Sequence, residues 1–85
     1  MTDQTKQAIA QWLSNYLSEL LRIDIAQVDT ALTFDDYGID SRDALGMIGE
    51  LGDWLGLDLD SSIIYDHQSI DELSNHLSLI KSEPS

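Results

Sequence analysis

Apolar positions fall into three groups with helical spacing, separated by two stretches where that spacing breaks. Ile9, Trp12, Leu13, Tyr16, Leu17, Leu20 and Leu21 recur three and four residues apart, which predicts a helix over Asp3–Arg22 with one buried stripe. Ala44, Leu45, Met47, Ile48, Leu51 and Leu55 repeat the pattern and predict the inward face of a second helix. That helix should begin at Asp40 or Ser41 and run to about Leu55, with Gly56 as its stop. Asp40 is suited to the N-cap, and Asp43 adds negative charge to a first turn where the helix dipole favours it. The third group is Leu73, then His76 or Leu77, then Ile80. It follows Ser69-Ile70-Asp71-Glu72, a capping box in which Ser69 and Glu72 satisfy each other's end of the helix.

The first break, Asp24 to Asp40, is polar and acidic, with Ile25, Val28, Leu32 and Phe34 scattered through it. It reads as a loop pinned onto the core, and long ordered loops in compact domains often carry function. In the second break, Asp60 or Ser61 can cap a brief helical turn through Ile63, Ile64 and Tyr65. No strand alternation, repeat or low-complexity segment is present. The predicted fold is therefore all-α: a small four-helix bundle with three main helices, one short helix and a long first loop. Residues 1–85 read as a single domain, with an ordered core over about 3–80 and a frayed C-terminal tail at 81–85.

Composition narrows the function. A chain of 85 residues builds one small core, which argues against an enzyme with a deep closed pocket. Sixteen Asp plus Glu against four Lys plus Arg give a formal net charge of −12. Such a field repels nucleic acid and anionic membranes and steers basic protein surfaces into contact. With no cysteine, disulfides and thiolate metal sites are excluded. His67 and His76 lack the spacing of a metal motif and read as a surface and a helix-face histidine. In the absence of a long apolar run or a lipidation motif, the expected compartment is the cytoplasm.

Gly46, Gly49 and Gly52 stand three apart in the second helix, where each costs about 0.8–1 kcal/mol relative to alanine. Two readings stay open: close packing against a neighbouring helix, or a flattened strip on which a partner or a tethered chain can lie.

Ser41 is the candidate for chemistry. A catalytic serine needs a base and oxyanion support, yet Gly38-Ile39-Asp40-Ser41-Arg42 is not a GxSxG elbow and nothing in the sequence brings a histidine to it. Asp35, Asp36 and Asp40 lie near Gly38 without the alternating ligands of an EF-hand loop, so no metal site is expected. What remains is a helix cap, or a hydroxyl modified by an enzyme that brings its own base and metal.

Phe34-Asp35-Asp36-Tyr37-Gly38-Ile39-Asp40-Ser41 resembles the attachment motif of acyl carrier proteins, an aromatic residue followed by a G-x-D-S box at the start of helix two. The similarity continues through Leu51–Leu59 and through Ile63–Leu77, which looks like the ending of carrier domains from modular polyketide synthases. This resemblance spans roughly 32–79. It implies a 4′-phosphopantetheine arm, derived from coenzyme A, on Ser41, carrying acyl or polyketide intermediates as thioesters. The protein would present this cargo and catalyse nothing itself. Implied partners are a phosphopantetheinyl transferase, an acyltransferase or acyl-activating enzyme, and a ketosynthase or other synthase enzymes with basic docking surfaces. The protein itself would be a monomer. Docking candidates are Asp40, Arg42, Asp43, Leu45, Gly49, Glu50 and Asp53 along helix two and Asp66 near the short helix.

Three departures stand out: Arg42 where the family has leucine, Gly46 and Gly49 where it has larger side chains, and Gln68 in place of proline. The alternatives are a peptidyl or aminoacyl carrier domain, which more often shows G-G-x-S at the site, and an unmodified acidic helical interaction module.

Overall fold

The alternation of buried and exposed positions resolves into four α-helices in a computed structural model that describes residues 2–82 and the side chains of residues 6–80. They are α1 (Thr2–Leu21), α2 (Ser41–Leu55), α3 (Ile63–Asp66) and α4 (Ile70–Ser82), with a 3₁₀ turn at Ile25–Gln27 in the long first connection. The bundle with three main helices and one short one is as expected; the 3₁₀ turn is additional. Residues 83–85, the end of the tail expected to fray, lie outside the described residues.

Ile9, Leu13 and Leu17 of α1 meet Met47, Ile48, Leu51 and Leu55 of α2 and Ile70, Leu73 and Leu77 of α4 in one core, closed by Phe34 from the loop. The most extensive helix–helix backbone packing is between α1 and α4. Small residues permit it: Ser14, Ser74 and Ser78 are buried. The Ser74 and Ser78 hydroxyls donate to the carbonyls of Asp71 and Asn75, at 3.2 and 2.8 Å, so neither is buried unsatisfied.

Each predicted stripe is wider than its neighbours can cover. Leu20, Leu45 and Ile80 were expected to face inward and are instead 37%, 55% and 39% exposed. Leu45 is the clearest case: it stands about 100° around α2 from Ala44, off the buried line through Ile48, Leu51 and Leu55, and 55% of its surface is exposed. The loop is pinned by Phe34 and Val28, whereas Ile25 and Leu32 face mostly outward.

Helix ends follow local chemistry. At the end of α1, Arg22 adopts φ 58°, the left-handed turn usually given to glycine, so it lies just outside the helix it was expected to finish. The Ile23 amide donates to the Ser18 carbonyl at 3.1 Å there. The end of α2 is tighter. Gly56 turns at φ 70° and the Leu57 amide bonds back to the Gly52 carbonyl at 2.9 Å. A Cβ on Gly52 would lie 2.8 Å from the Leu57 carbonyl oxygen, so Gly52 is a packing glycine. Gly49 faces open space, and a Cβ on Gly46 would make ordinary contact with the Tyr16 hydroxyl. The three glycines therefore have no common cause.

Two tertiary links were absent from the sequence pattern. Thr33 pairs with Ser69 in an isolated antiparallel bridge, and the Phe34 amide donates to the Gln68 carbonyl at 2.8 Å, which ties the loop to the start of α4. His67 and His76, read from the sequence as a surface and a helix-face histidine, stack on each other with centroids 4.0 Å apart. The bridge also alters the expected capping box. Glu72 donates its amide to Ser69 Oγ at 3.2 Å, but its carboxylate accepts the Gln68 amide at 2.9 Å rather than that of Ser69. The extended segment paired with Thr33 turns the amide one residue upstream toward the carboxylate.

Candidate functional site

Ser41 owes its position to the turn before it. The buried Phe34 ring anchors the chain, and the Phe34 carbonyl accepts from both the Tyr37 and the Ile39 amides at 3.2 Å. Gly38, at φ 76°, reverses the direction between them. The Tyr37 hydroxyl locks the far side of the loop, accepting the Asp29 amide at 2.6 Å and donating to the Asp29 carbonyl at 2.5 Å. Asp40 then enters α2 in an extended conformation, and its Oδ1 accepts the Asp43 amide at 2.9 Å. The cap belongs to Asp40. Ser41 is the next residue, exposed in the first turn, and its hydroxyl makes no hydrogen bond among the described residues.

Beside Ser41 lies an open cleft of about 420 Å³ between the loop, α2 and α3. Phe34, Ile39, Ala44, Ile64 and Tyr65 give it an apolar wall, and Asp35, Asp40 and Gln68 supply polar edges. A smaller hollow of about 150 Å³ adjoins it, bounded by Leu45 and Ser61 with Ser41, Ala44, Ile64 and Tyr65. Neither histidine lines either space. Sequence reading missed this cleft. Its signal was the Ile63-Ile64-Tyr65 run after a capped turn, which brings apolar side chains over the head of α2. The turn is organised by Asp60, whose Oδ1 accepts the Ser62 amide at 3.0 Å; that bond holds its carboxyl below the ordinary carboxylate value. No side-chain cap comes from Ser62, the residue directly before α3.

The other candidate residues divide between two sides of α2. Leu45 joins Ser41 on the side of α3. Glu50 and Asp43 lie toward Tyr16 of α1. Burial first, then the neighbouring Glu50 carboxylate and the charge of Asp43, push the Tyr16 phenol above its usual value. Asp40, Arg42, Gly49, Asp53 and Asp66 are exposed. Arg42 has no ion-pair partner among the described residues. No group of three metal-ligating side chains occurs among the described residues.

An unengaged hydroxyl at a helix start, next to an open apolar cleft, suits a covalently attached arm. The family model for the phosphopantetheine attachment site matches residues 11–77. The chain belongs to that family of carrier domains. It is similar to the acyl carrier protein TtuC of Teredinibacter turnerae, 29% identical over 73 residues that cover 86% of this chain and 84% of that protein. It is also similar to polyketide synthase 1 of Metarhizium guizhouense, 40% identical over 63 residues, 74% of this chain but 3% of the synthase. Among solved structures, a free-standing peptidyl carrier protein from an uncharacterised secondary metabolic pathway of Acinetobacter baumannii superposes with a TM-score of 0.79. The two are 26% identical, over 85% of this chain and 90% of that one. The HMG-ACPI domain from the CurA module of Lyngbya majuscula gives 0.78 at 27% identity, over 87% of this chain and 75% of that one. This protein is thus a carrier domain with a covalent 4′-phosphopantetheine arm, a member of the group that tethers intermediates in acyl, polyketide and peptidyl assembly. Carrier domains of this kind are generally non-catalytic, and those of polyketide synthases work with synthase enzymes. No described helix is long and apolar enough to cross a membrane.

Proposed function

We propose that Ser41 is the attachment residue and that the 85-residue chain acts as a single carrier domain for acyl or polyketide intermediates. One observation carries the assignment: Asp40 does the capping, so the exposed Ser41 hydroxyl is left with no structural duty. Its position fits the arm's phosphodiester. The Ser41 and Arg42 amides open α2 with no intrahelical acceptor, and a helix N-terminus favours anionic oxygen. When attached, the arm supplies the thiol on which cargo is held as a thioester. Phe34, Ile39, Ala44, Ile64 and Tyr65 offer an apolar wall beside the attachment point, and Asp40 keeps the start of the helix rigid.

The chain itself catalyses nothing in this reading. It works in the cytoplasm as a monomer, loaded by a phosphopantetheinyl transferase and visited by an acyltransferase or acyl-activating enzyme and a ketosynthase. The net charge of −12 supports basic docking faces on those enzymes. Peptidyl cargo is a second reading, favoured by the likeness to the Acinetobacter baumannii carrier. The Ile39-Asp40 pair before Ser41, in place of the glycine-glycine more common in peptidyl carriers, favours acyl cargo.

The test is intact mass after incubation with coenzyme A, Mg²⁺ and a broad-specificity phosphopantetheinyl transferase. One added phosphopantetheine on the wild-type chain and none on Ser41→Ala is the expected result. Addition to both proteins would move the attachment point. No addition to a folded wild-type chain, with a known carrier reacting in parallel, would instead favour an unmodified interaction module.

A further inference from the structure

Gln68 stands at the turn between α3 and α4, held at both ends of the residue. Its amide donates to the Glu72 carboxylate at 2.9 Å, and its carbonyl accepts the Phe34 amide at 2.8 Å. Its side-chain Nε2 donates to the Tyr65 carbonyl at 3.1 Å. The two backbone bonds fix the root of the side chain, and the third fixes its tip. A carbonyl oxygen can take only the N–H end of a carboxamide, so this partner sets the direction of the group. Oε1 is the end left over. It has no hydrogen-bond partner among the described residues.

Gln68 is exposed and lines the cleft that Ser41 also lines. It brings the only carboxamide to that cleft; Asp35 and Asp40 bring carboxylates, and Asp40 Oδ1 is taken by the Asp43 amide. A neutral, oriented acceptor beside the apolar wall of Phe34, Ile39 and Ile64 suits a chain that alternates alkyl segments with N–H donors. The 4′-phosphopantetheine arm is such a chain, since its secondary amides are separated by short alkyl stretches. We propose that Gln68 is a positioning residue for the arm: Oε1 accepts an amide N–H of the arm, and the alkyl segments lie on the apolar wall. The inference rests on attachment at Ser41 and adds the residue that holds what is attached. A proline, which the family has at this position, carries no side-chain acceptor, so the hold comes from this chain's own departure. One neutral hydrogen bond of this kind shifts an equilibrium by about two- to ten-fold. That is enough to favour a docked arm in the free carrier, and little enough for a partner enzyme to draw the arm away.

The experiment loads the chain with an isotope-labelled arm and no cargo, locates the arm by fragment mass, and follows hydrogen exchange of the arm's amides by NMR. Free coenzyme A, which carries the same amides, is the reference. One arm amide should exchange about two- to ten-fold more slowly on the protein and show a nuclear Overhauser effect to the Gln68 side-chain N–H₂. Gln68→Leu keeps both backbone bonds and should remove that protection. Gln68→Lys keeps a donor for the Tyr65 carbonyl but has no acceptor, so it should remove the protection as well, which a merely structural role would not do. Asp35→Asn should leave the protection in place. Amides that exchange in the wild-type chain as they do in coenzyme A, protection that survives Gln68→Leu, or protection lost in Asp35→Asn would each overturn the proposal. So would protection that appears only once an acyl or aminoacyl cargo is loaded, because Gln68 would then contact the cargo and not the arm. An arm found elsewhere than Ser41 removes the attachment reading and this inference together, whereas an unprotected arm on Ser41 removes this inference alone.

Discussion

The Leu57 carbonyl oxygen stands 2.8 Å from the point where a Cβ on Gly52 would lie, while Gly49, one turn earlier, has nothing within 4 Å of the same point. Two glycines in one helix therefore predict opposite outcomes. Gly49→Ala gains helix propensity without a clash and should stabilise the fold by about 0.8–1 kcal/mol. Gly52→Ala gains the same propensity but drives a methyl into backbone, and should be net destabilising by about 1–3 kcal/mol. Urea unfolding of both variants decides it. Equal shifts in the midpoint would mean that the turn at Gly56 gives way more easily than its geometry implies.

Asp40 and Ser41 were both candidates to cap α2, and the structure assigns the cap to Asp40 alone. Asp40→Ala should cost about 1 kcal/mol, and Asp40→Asn, which keeps an acceptor oxygen, only a few tenths. Ser41→Ala removes an exposed hydroxyl that makes no hydrogen bond, so its stability should stay within about 0.5 kcal/mol of wild type. A loss at Ser41 as large as that at Asp40 would return the serine to a structural role.

Some of this arrangement is legible in the sequence because its causes are local. The bounds of α2 follow from one capping side chain and one glycine, and both can be read from a few adjacent residues. Ser41 is legible for the same reason. The cleft beside it is not, because it depends on where four residues of α3 come to rest over α2. Leu45 fails differently: apolar spacing gives the width of a stripe, while burial depends on how much of that stripe a neighbouring helix reaches. Gly52 and the His67–His76 stack likewise depend on chain segments that meet only after folding.

Tyr16 predicts an alkaline limit to stability. Its phenol titrates above the ordinary 10.0 because burial, the neighbouring Glu50 carboxylate and the charge of Asp43 all disfavour phenolate. The folded state therefore holds this proton more tightly than the unfolded chain does. The resulting stability is fully present below the unfolded value of about 10 and is lost as pH rises through the folded one. Absorbance at 295 nm should show a late phenol ionisation that Tyr16→Phe removes. Glu50→Gln should bring that step down part of the way, since desolvation remains. Tyr16→Phe should flatten the fall in urea stability above about pH 10. A late phenol that persists in Tyr16→Phe would assign the step to another residue.

Arg42 follows Ser41 directly and has no ion-pair partner among the described residues, so its charge is free to act on an arriving enzyme. A transferase that docks through basic residues meets a repulsive charge at the edge of its target. Exposed rim charges act mainly on association rate and are screened by salt. Arg42→Leu and Arg42→Gln should therefore both raise kcat/KM for a broad-specificity phosphopantetheinyl transferase by about two- to ten-fold at low ionic strength, mostly through KM. The gain should shrink toward zero as salt approaches about 1 M. Comparing the two variants separates charge from contact. If Gln helps as much as Leu, repulsion explains the effect; if only Leu helps, the transferase is using an apolar contact at this position. No change in either variant would mean that the transferase approaches without passing the Arg42 side chain.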